Sequence, residues 1–137
     1  MGNVVTLEDG MLAPLFSAED SAGNIWNLSE ILAEQKRVVL YFYPKDSTPG
    51  CTTQACDFRD NMAALGSADV AVFGISKDSA KSHQNFTEKQ SLNFPLLLDT
   101  EGKLLEQYGV WREKKNYGRT YMGISRSTFV IETDGTL

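Results

Sequence analysis

The chain has 137 residues, of which 42% are hydrophobic, 23% charged and 10% aromatic. That is one globular domain: too short for two, too aromatic for disorder, and without the eighteen or so continuous apolar residues of a membrane span. Its net charge of −5, from 13 Lys and Arg against 18 Asp and Glu, disfavours a nucleic-acid backbone as partner, because phosphates reward clustered cations.

The first residues, Met1-Gly2-Asn3-Val4-Val5-Thr6, lack the basic and apolar regions of a secretory signal. Gly2 and Thr6 fit only the loose myristoylation pattern. Asn27-Leu28-Ser29 and Asn85-Phe86-Thr87 are glycosylation sequons, which mean little without secretion. The expected setting is therefore a reducing cytoplasm, where a permanent disulfide is disfavoured.

Phe16 to Glu19 and Ile25 to Leu28 flank the turn-rich Asp20-Ser21-Ala22-Gly23-Asn24 and predict a hairpin. Ser29 is placed to cap a short helix through about Gln35. Val38-Val39-Leu40-Tyr41-Phe42-Tyr43 is a continuous run of β-formers. Such a run reads as a central strand covered on both faces, and Pro44 ends it. A loop from Lys45 to Gly50 leads into a helix from about Pro49 to Ala64. Val70 to Ser76 reads as a second buried strand, and Asp78 or Ser79 opens a helix to about Gln90. Pro95 to Leu98 is a short strand, and Glu101 to Tyr108 a short helix closed by Gly109. Trp111 to Gly123 reads as a polar loop, with Trp111 and Tyr117 packing in core or loop, and Ser127 to Glu132 as a last strand. His83 falls on a polar helix and is expected at the surface. The alternation predicts a single three-layer α/β domain over 1–137 with a partly parallel sheet. Asp134-Gly135 is a hairpin-turn signal with only Thr136 and Leu137 after it, and so without an evident partner strand.

Two cysteines are too few for a disulfide-stapled miniprotein or a four-thiolate zinc site. They leave a buried pair, a structural disulfide or redox chemistry. Thr48 followed by Pro49 reads as helix N-cap and first helical residue, which puts Cys51 in the first turn. Free backbone N–H groups and the positive end of the helix dipole there favour a thiolate, the reactive form. Cys56 lies five positions on. In an ideal helix that spacing separates the Cα atoms by roughly 8–9 Å, whereas a disulfide needs less than about 7 Å. The two sulfurs can bond only if the helix start unwinds. The spacing suits a catalytic pair with a conformational step, and differs from the two-residue gap of a thioredoxin-type motif.

Pro44-x-x-x-Thr48-x-x-Cys51 resembles the active-site signature of the peroxiredoxins. The wider string Tyr41-Phe42-Tyr43-Pro44-Lys45-Asp46, then Thr48-Pro49-Gly50-Cys51-Thr52, is similar to the bacterioferritin comigratory protein (PrxQ) branch. So are Gly10-x-x-Ala13-Pro14-x-Phe16, Ala55-Cys56-x-Phe58-Arg59-Asp60, Tyr108-Gly109-Val110-Trp111, Tyr117-Gly118-Arg119 and Gly123-Ile124-x-Arg126-x-Thr128-Phe129. The resemblance implies a thioredoxin-like fold, a mixed sheet flanked by helices. It also implies one more strand and a C-terminal helix after Asp134-Gly135, so this chain is expected to be a C-terminally truncated domain.

The resemblance further implies an antioxidant thiol peroxidase acting on hydrogen peroxide and organic hydroperoxides. Cys51 would be the peroxidatic nucleophile and Cys56 the resolving thiol, closing an intrachain disulfide. Arg126 would stabilise the thiolate and hold a peroxide oxygen, Thr48 would offer a hydroxyl, and Pro44 would shield the sulfur from water. Thioredoxin is the expected reductant, with glutaredoxin or glutathione as alternatives; no metal or organic cofactor is implied, and a monomer or weak dimer suffices. A peroxide sensor and a non-catalytic thiol module are the competing readings. A passive module needs none of Thr48, Arg126 and Cys56, and a sensor needs an output domain.

Overall fold

The computed structural model describes residues 7–137, the Asn116 side chain excepted; the pattern at Gly2 and Thr6 lies outside the described residues. In chain order the elements are β1 Ser17–Glu19, β2 Ile25–Asn27, α1 Leu28–Ala33, β3 Arg37–Phe42, α2 Pro49–Ser67 and β4 Val70–Ser76. There follow α3 Ala80–Gln90, β5 Leu96–Leu98, α4 Lys103–Gln107, β6 Trp111–Asn116, β7 Arg119–Ile124 and β8 Ser127–Ile131.

Four strands form one mixed sheet in the order β5-β4-β3-β8. β3, β4 and β5 run parallel, and β8 runs antiparallel to β3. Alternate residues of β3 feed two cores, because successive strand side chains point to opposite faces. Val38, Leu40 and Phe42 join Phe73, Ile75, Leu97, Ile31, Leu104 and Leu105 on one face. Val39, Tyr41 and Tyr43 join Val72, Leu96, Cys51, Ala55 and Phe86 on the other. Thus α1 and α4 cover one face, and α2 and α3 the other. A strand buried on both sides cannot alternate with polar residues, which is why β3 reads as an unbroken apolar run.

Gly74 sits where β4 packs closely against the α2-side core. A Cβ there would lie 2.8 Å from the Tyr41 ring and 2.8 Å from Leu96. Tyr41 is itself stacked on Phe58 of α2, ring centroids 4.6 Å apart. β4 is hydrogen-bonded on both sides, so its backbone has little room to shift. Gly74→Ala is expected to lower unfolding stability by about 1–3 kcal/mol, the range for overpacking a filled core, as read from the urea midpoint.

Four expectations need correction. Asn27, not Ser29, caps α1: its side-chain oxygen accepts from the Ser29 and Glu30 amides, because the helix already begins at Leu28, whose side chain is fully buried. The segment from Trp111 is not a loop but the hairpin of β6 and β7. Its two-residue turn, Tyr117-Gly118, has φ of +52° and +77°, the left-handed pair that matches strand twist. The strands are largely exposed and polar, so no apolar alternation announces them. Tyr117 at their tip is 98% exposed and packs in nothing; Trp111 is half-buried, with Lys77 Nζ 4.5 Å from its ring centroid. Finally, the Asp134-Gly135 turn does find partners. The Glu132 amide donates to the Thr136 carbonyl, while Ala13 and Leu137 amides donate to Gly135 and Met11 carbonyls. The returning chain pairs with the segment around Leu12.

Candidate active site

The site sits where β3 ends and α2 begins. The Tyr43 amide still donates to the Ile75 carbonyl, but Pro44 has no N–H to continue the ladder, and the chain leaves the sheet. Pro44 is exposed there. Ser47 turns the loop with φ +62°, and Pro49 opens the helix as its first residue.

Thr48 holds the N-cap position with extended backbone, but its side chain makes no cap hydrogen bond. Its hydroxyl instead donates to the Lys45 carbonyl at 2.9 Å. Thr48 is thus at the N-cap position expected for it, but no first-turn N–H donates to its side-chain oxygen. The hydroxyl's lone pairs stay open to another donor, and the first-turn N–H groups stay uncovered by it.

Cys51 stands in that first turn and is 1% exposed, packed with Tyr41, Tyr43 and Ala55. Burial, chiefly, and then the charge of Asp46 push the Tyr41 phenol far above its ordinary range, so it remains a neutral O–H. That hydroxyl is buried with no hydrogen-bond partner among the described residues.

β8 brings Arg126 to the sulfur. Because β8 runs antiparallel to β3 with Ser127 opposite Phe42, the residue just before β8 lies beside the end of β3 and the start of α2. Arg126 Nη2 donates to Cys51 Sγ at 3.1 Å, and Nη1 donates to Gln54 Oε1 at 2.5 Å. Gln54 sits one turn along α2, so both prongs of the guanidinium are tied to the same helix. A Cβ on Gly50 would lie 3.5 Å from Nη2, which places the cation over the first turn. A fixed guanidinium there stabilises an anionic sulfur, and its fork is shaped to hold a second electronegative atom.

Cys56 lies within the same intact helix, partly exposed; both cysteines are free. Its thiol faces Gln90 Oε1 at 3.5 Å. Arg59, next along, donates to the Gln90 carbonyl at 2.6 Å. The second cysteine is thus turned toward the end of α3.

His83, too, is misplaced by sequence reasoning. It is fully buried, not at the surface. Its Nδ1 lies 2.7 Å from Asp46 Oδ2 and its Nε2 lies 3.1 Å from the Leu97 carbonyl. Asp46 also accepts from the Tyr43 hydroxyl at 2.5 Å and the Ser82 hydroxyl at 2.9 Å. Its own amide donates to Asp78 Oδ2, which also accepts from Ser76 Oγ. Asp46, Asp78 and His83 lie close enough together to hold a metal ion. Their facing atoms, however, are already bonded within the protein, so the trio is a structural polar network. A buried Asp in a Pro-x-Asp string was its only sequence trace.

A model of the AhpC/TSA family matches residues 10–137. Peroxiredoxin Bcp of Bacillus subtilis is 48% identical over 133 residues, 97% of this chain and 83% of that protein. Peroxiredoxin Bcp of Escherichia coli K12 is 48% identical over 131 residues, 96% of this chain and 83% of that protein. Among solved structures, the bacterioferritin comigratory protein of Xanthomonas campestris superposes with a TM-score of 0.82 at 39% identity, over 88% of this chain and 76% of that one. That structure was solved as trapped intermediate and ligand complexes bearing on its alkyl peroxide reduction. Peroxidoxin BcpB of Mycobacterium tuberculosis superposes with a TM-score of 0.83 at 35% identity, over 96% and 82%.

Proposed function

The chain belongs to the AhpC/TSA family and is a peroxiredoxin, a thiol-dependent peroxidase; from that premise we propose that Cys51 is its peroxidatic nucleophile and Cys56 its resolving thiol. The observation that carries the assignment is the 3.1 Å contact from Arg126 to the buried Cys51 sulfur at a helix N-terminus.

The Cys51 thiolate attacks one peroxide oxygen. The O–O bond breaks, the sulfur becomes a sulfenic acid, and the other oxygen leaves as water or an alcohol after taking up a proton. Arg126 and the first-turn N–H groups face the reacting oxygens, so charge developing on the leaving oxygen meets preorganised donors, while the Thr48 hydroxyl, its hydrogen given to Lys45, accepts from the peroxide O–H. Pro44 caps the rim of the site and limits water at the sulfur. Hydrogen peroxide and organic hydroperoxides, alkyl ones included, share the O–O bond this geometry addresses.

Cys56 then attacks the sulfenic sulfur, expelling water and closing the Cys51–Cys56 disulfide. With both residues in α2 and an ideal separation of roughly 8–9 Å, the start of the helix must unwind first. That step can set the turnover rate. A dithiol protein of the thioredoxin class reduces the disulfide by exchange, in a reducing cytoplasm. Resolution within one chain makes a monomer sufficient, and the peroxidase cycle needs neither metal nor organic cofactor.

Turnover of peroxide with thioredoxin, thioredoxin reductase and NADPH tests the assignment. Cys56→Ser is expected to consume about one equivalent of peroxide, the single sulfenic acid of the reaction ladder, and then stop, whereas the peroxide-treated parent shows the Cys51–Cys56 disulfide by mass spectrometry. A variant that keeps cycling with thioredoxin, or an oxidised parent without that intrachain disulfide, sinks the resolving role.

A further inference from the structure

The loop that carries the reaction is strained, and of the side chains holding it Asp78, Ser82 and His83 lie apart from the residues packed on the sulfur. Ser47 has φ +62°, a left-handed conformation that a residue with a Cβ keeps only when its neighbours over-determine it. On its C-terminal side, the Thr48 hydroxyl ties back to the Lys45 carbonyl. On its N-terminal side stands Asp46, 5% exposed, fixed by its backbone N–H to Asp78 and by its carboxylate to Tyr43, Ser82 and His83. Two of these anchors, Ser82 and His83, come from α3, and a third, Asp78, follows β4. None belongs to the loop.

His83 is the anchor that reaches furthest. Its Nε2 faces a carbonyl, which only accepts, so Nε2 carries a hydrogen and the ring is pinned to Leu97 of β5. One proton lies between Nδ1 and Asp46 Oδ2. The imidazole therefore bridges β5 to the loop two residues before Thr48. Resting on the assignment of Cys51 and Thr48 above, we propose that His83 is a positioning residue for the peroxidase reaction: acting through Asp46, it holds the 44–49 loop so that Thr48 and the start of α2 face the peroxide at Cys51. It touches neither the sulfur nor the substrate.

Two substitutions separate this role from mere core filling. In His83→Asn the side-chain amide nitrogen falls near the place of Nδ1 and retains a donor to Asp46, losing Leu97. In His83→Gln it reaches toward the place of Nε2 and retains Leu97, losing Asp46. The readout is the single-turnover rate of Cys51 oxidation by hydrogen peroxide, with the melting temperature of each variant. His83→Gln is expected to slow oxidation about 10–100-fold, the effect of a misplacement near an ångström. His83→Asn is expected to stay within about threefold of the parent on the same scale, although both lose comparable thermal stability. Equal rates in the two variants, or rates that follow melting temperature, overturn the proposal.

Should neither fold, Ser82→Ala decides. It removes a donor from the same Asp46 oxygen without opening the core, and is expected to be about 3–10-fold slower on that positional argument; the parental rate overturns the proposal. Cys51→Ser run alongside keeps the two levels apart. If it reacts with peroxide, the nucleophile assignment falls; if it is inert while His83→Gln keeps the parental rate, only the positioning role falls.

Discussion

Cys51→Ser is expected to abolish peroxide turnover, by about 10⁵–10⁶-fold, the scale on which an enzyme loses its covalent nucleophile. The argument rests on the chemistry of the atom. Only a thiolate is a strong nucleophile near neutral pH and can carry the oxygen away as a sulfenic acid; a hydroxyl can do neither. The fold gives no reason for a structural collapse. Serine is slightly smaller than cysteine, and it would face Arg126 Nη2, which now lies 3.1 Å from the sulfur, and can accept that hydrogen bond. The variant should therefore melt within a few degrees of the parent while consuming no peroxide with thioredoxin and NADPH. A folded serine variant with parental turnover would remove the nucleophile assignment and every role built on it.

What the sequence made legible was local. Six apolar residues from Val38 to Tyr43 signal a strand buried on both faces, and β3 is that strand. Thr48-Pro49 signals a helix start, and α2 begins at Pro49. The five-residue gap between Cys51 and Cys56 is pure helix geometry, and both lie in one helix. What stayed hidden depends on pairings between distant residues. His83 and Asp46 are 37 positions apart. A histidine among Lys81, Ser82 and Gln84 looks solvated until the sheet brings a buried carboxylate to it. The β6–β7 hairpin hides for another reason: an exposed two-stranded ribbon needs no apolar face, and Tyr117-Gly118 is a less obvious turn than Asn-Gly. Arg126 lies between. Its place before the last strand is readable, but that this strand lies antiparallel beside β3 is a fact of topology; the resemblance, not the residue's own context, pointed to it.

Arg126→Ala is the second large effect, an expected loss of about 10²–10³-fold in kcat/KM for peroxide, as for removal of one preorganised donor from a developing negative charge. Two interactions vanish together: the Nη2 contact to Cys51 Sγ and the N–H fork proposed to donate to the peroxide oxygen. Arg126 is exposed and lies outside both cores, so its removal should move unfolding stability by no more than about 0.5 kcal/mol. Arg126→Lys discriminates between charge and shape. A lysine restores a cation but offers a point charge in place of a planar fork, and it cannot reach Cys51 and Gln54 at once as Nη2 and Nη1 do. It should recover part of the loss, leaving about a 10–100-fold deficit, the usual effect of mispositioning. Full recovery by lysine would mean that charge alone acts. An alanine variant with the parental rate of Cys51 oxidation would show that the 3.1 Å contact has no part in the chemistry, and would leave the helix N-terminus as the sole stabiliser of the thiolate.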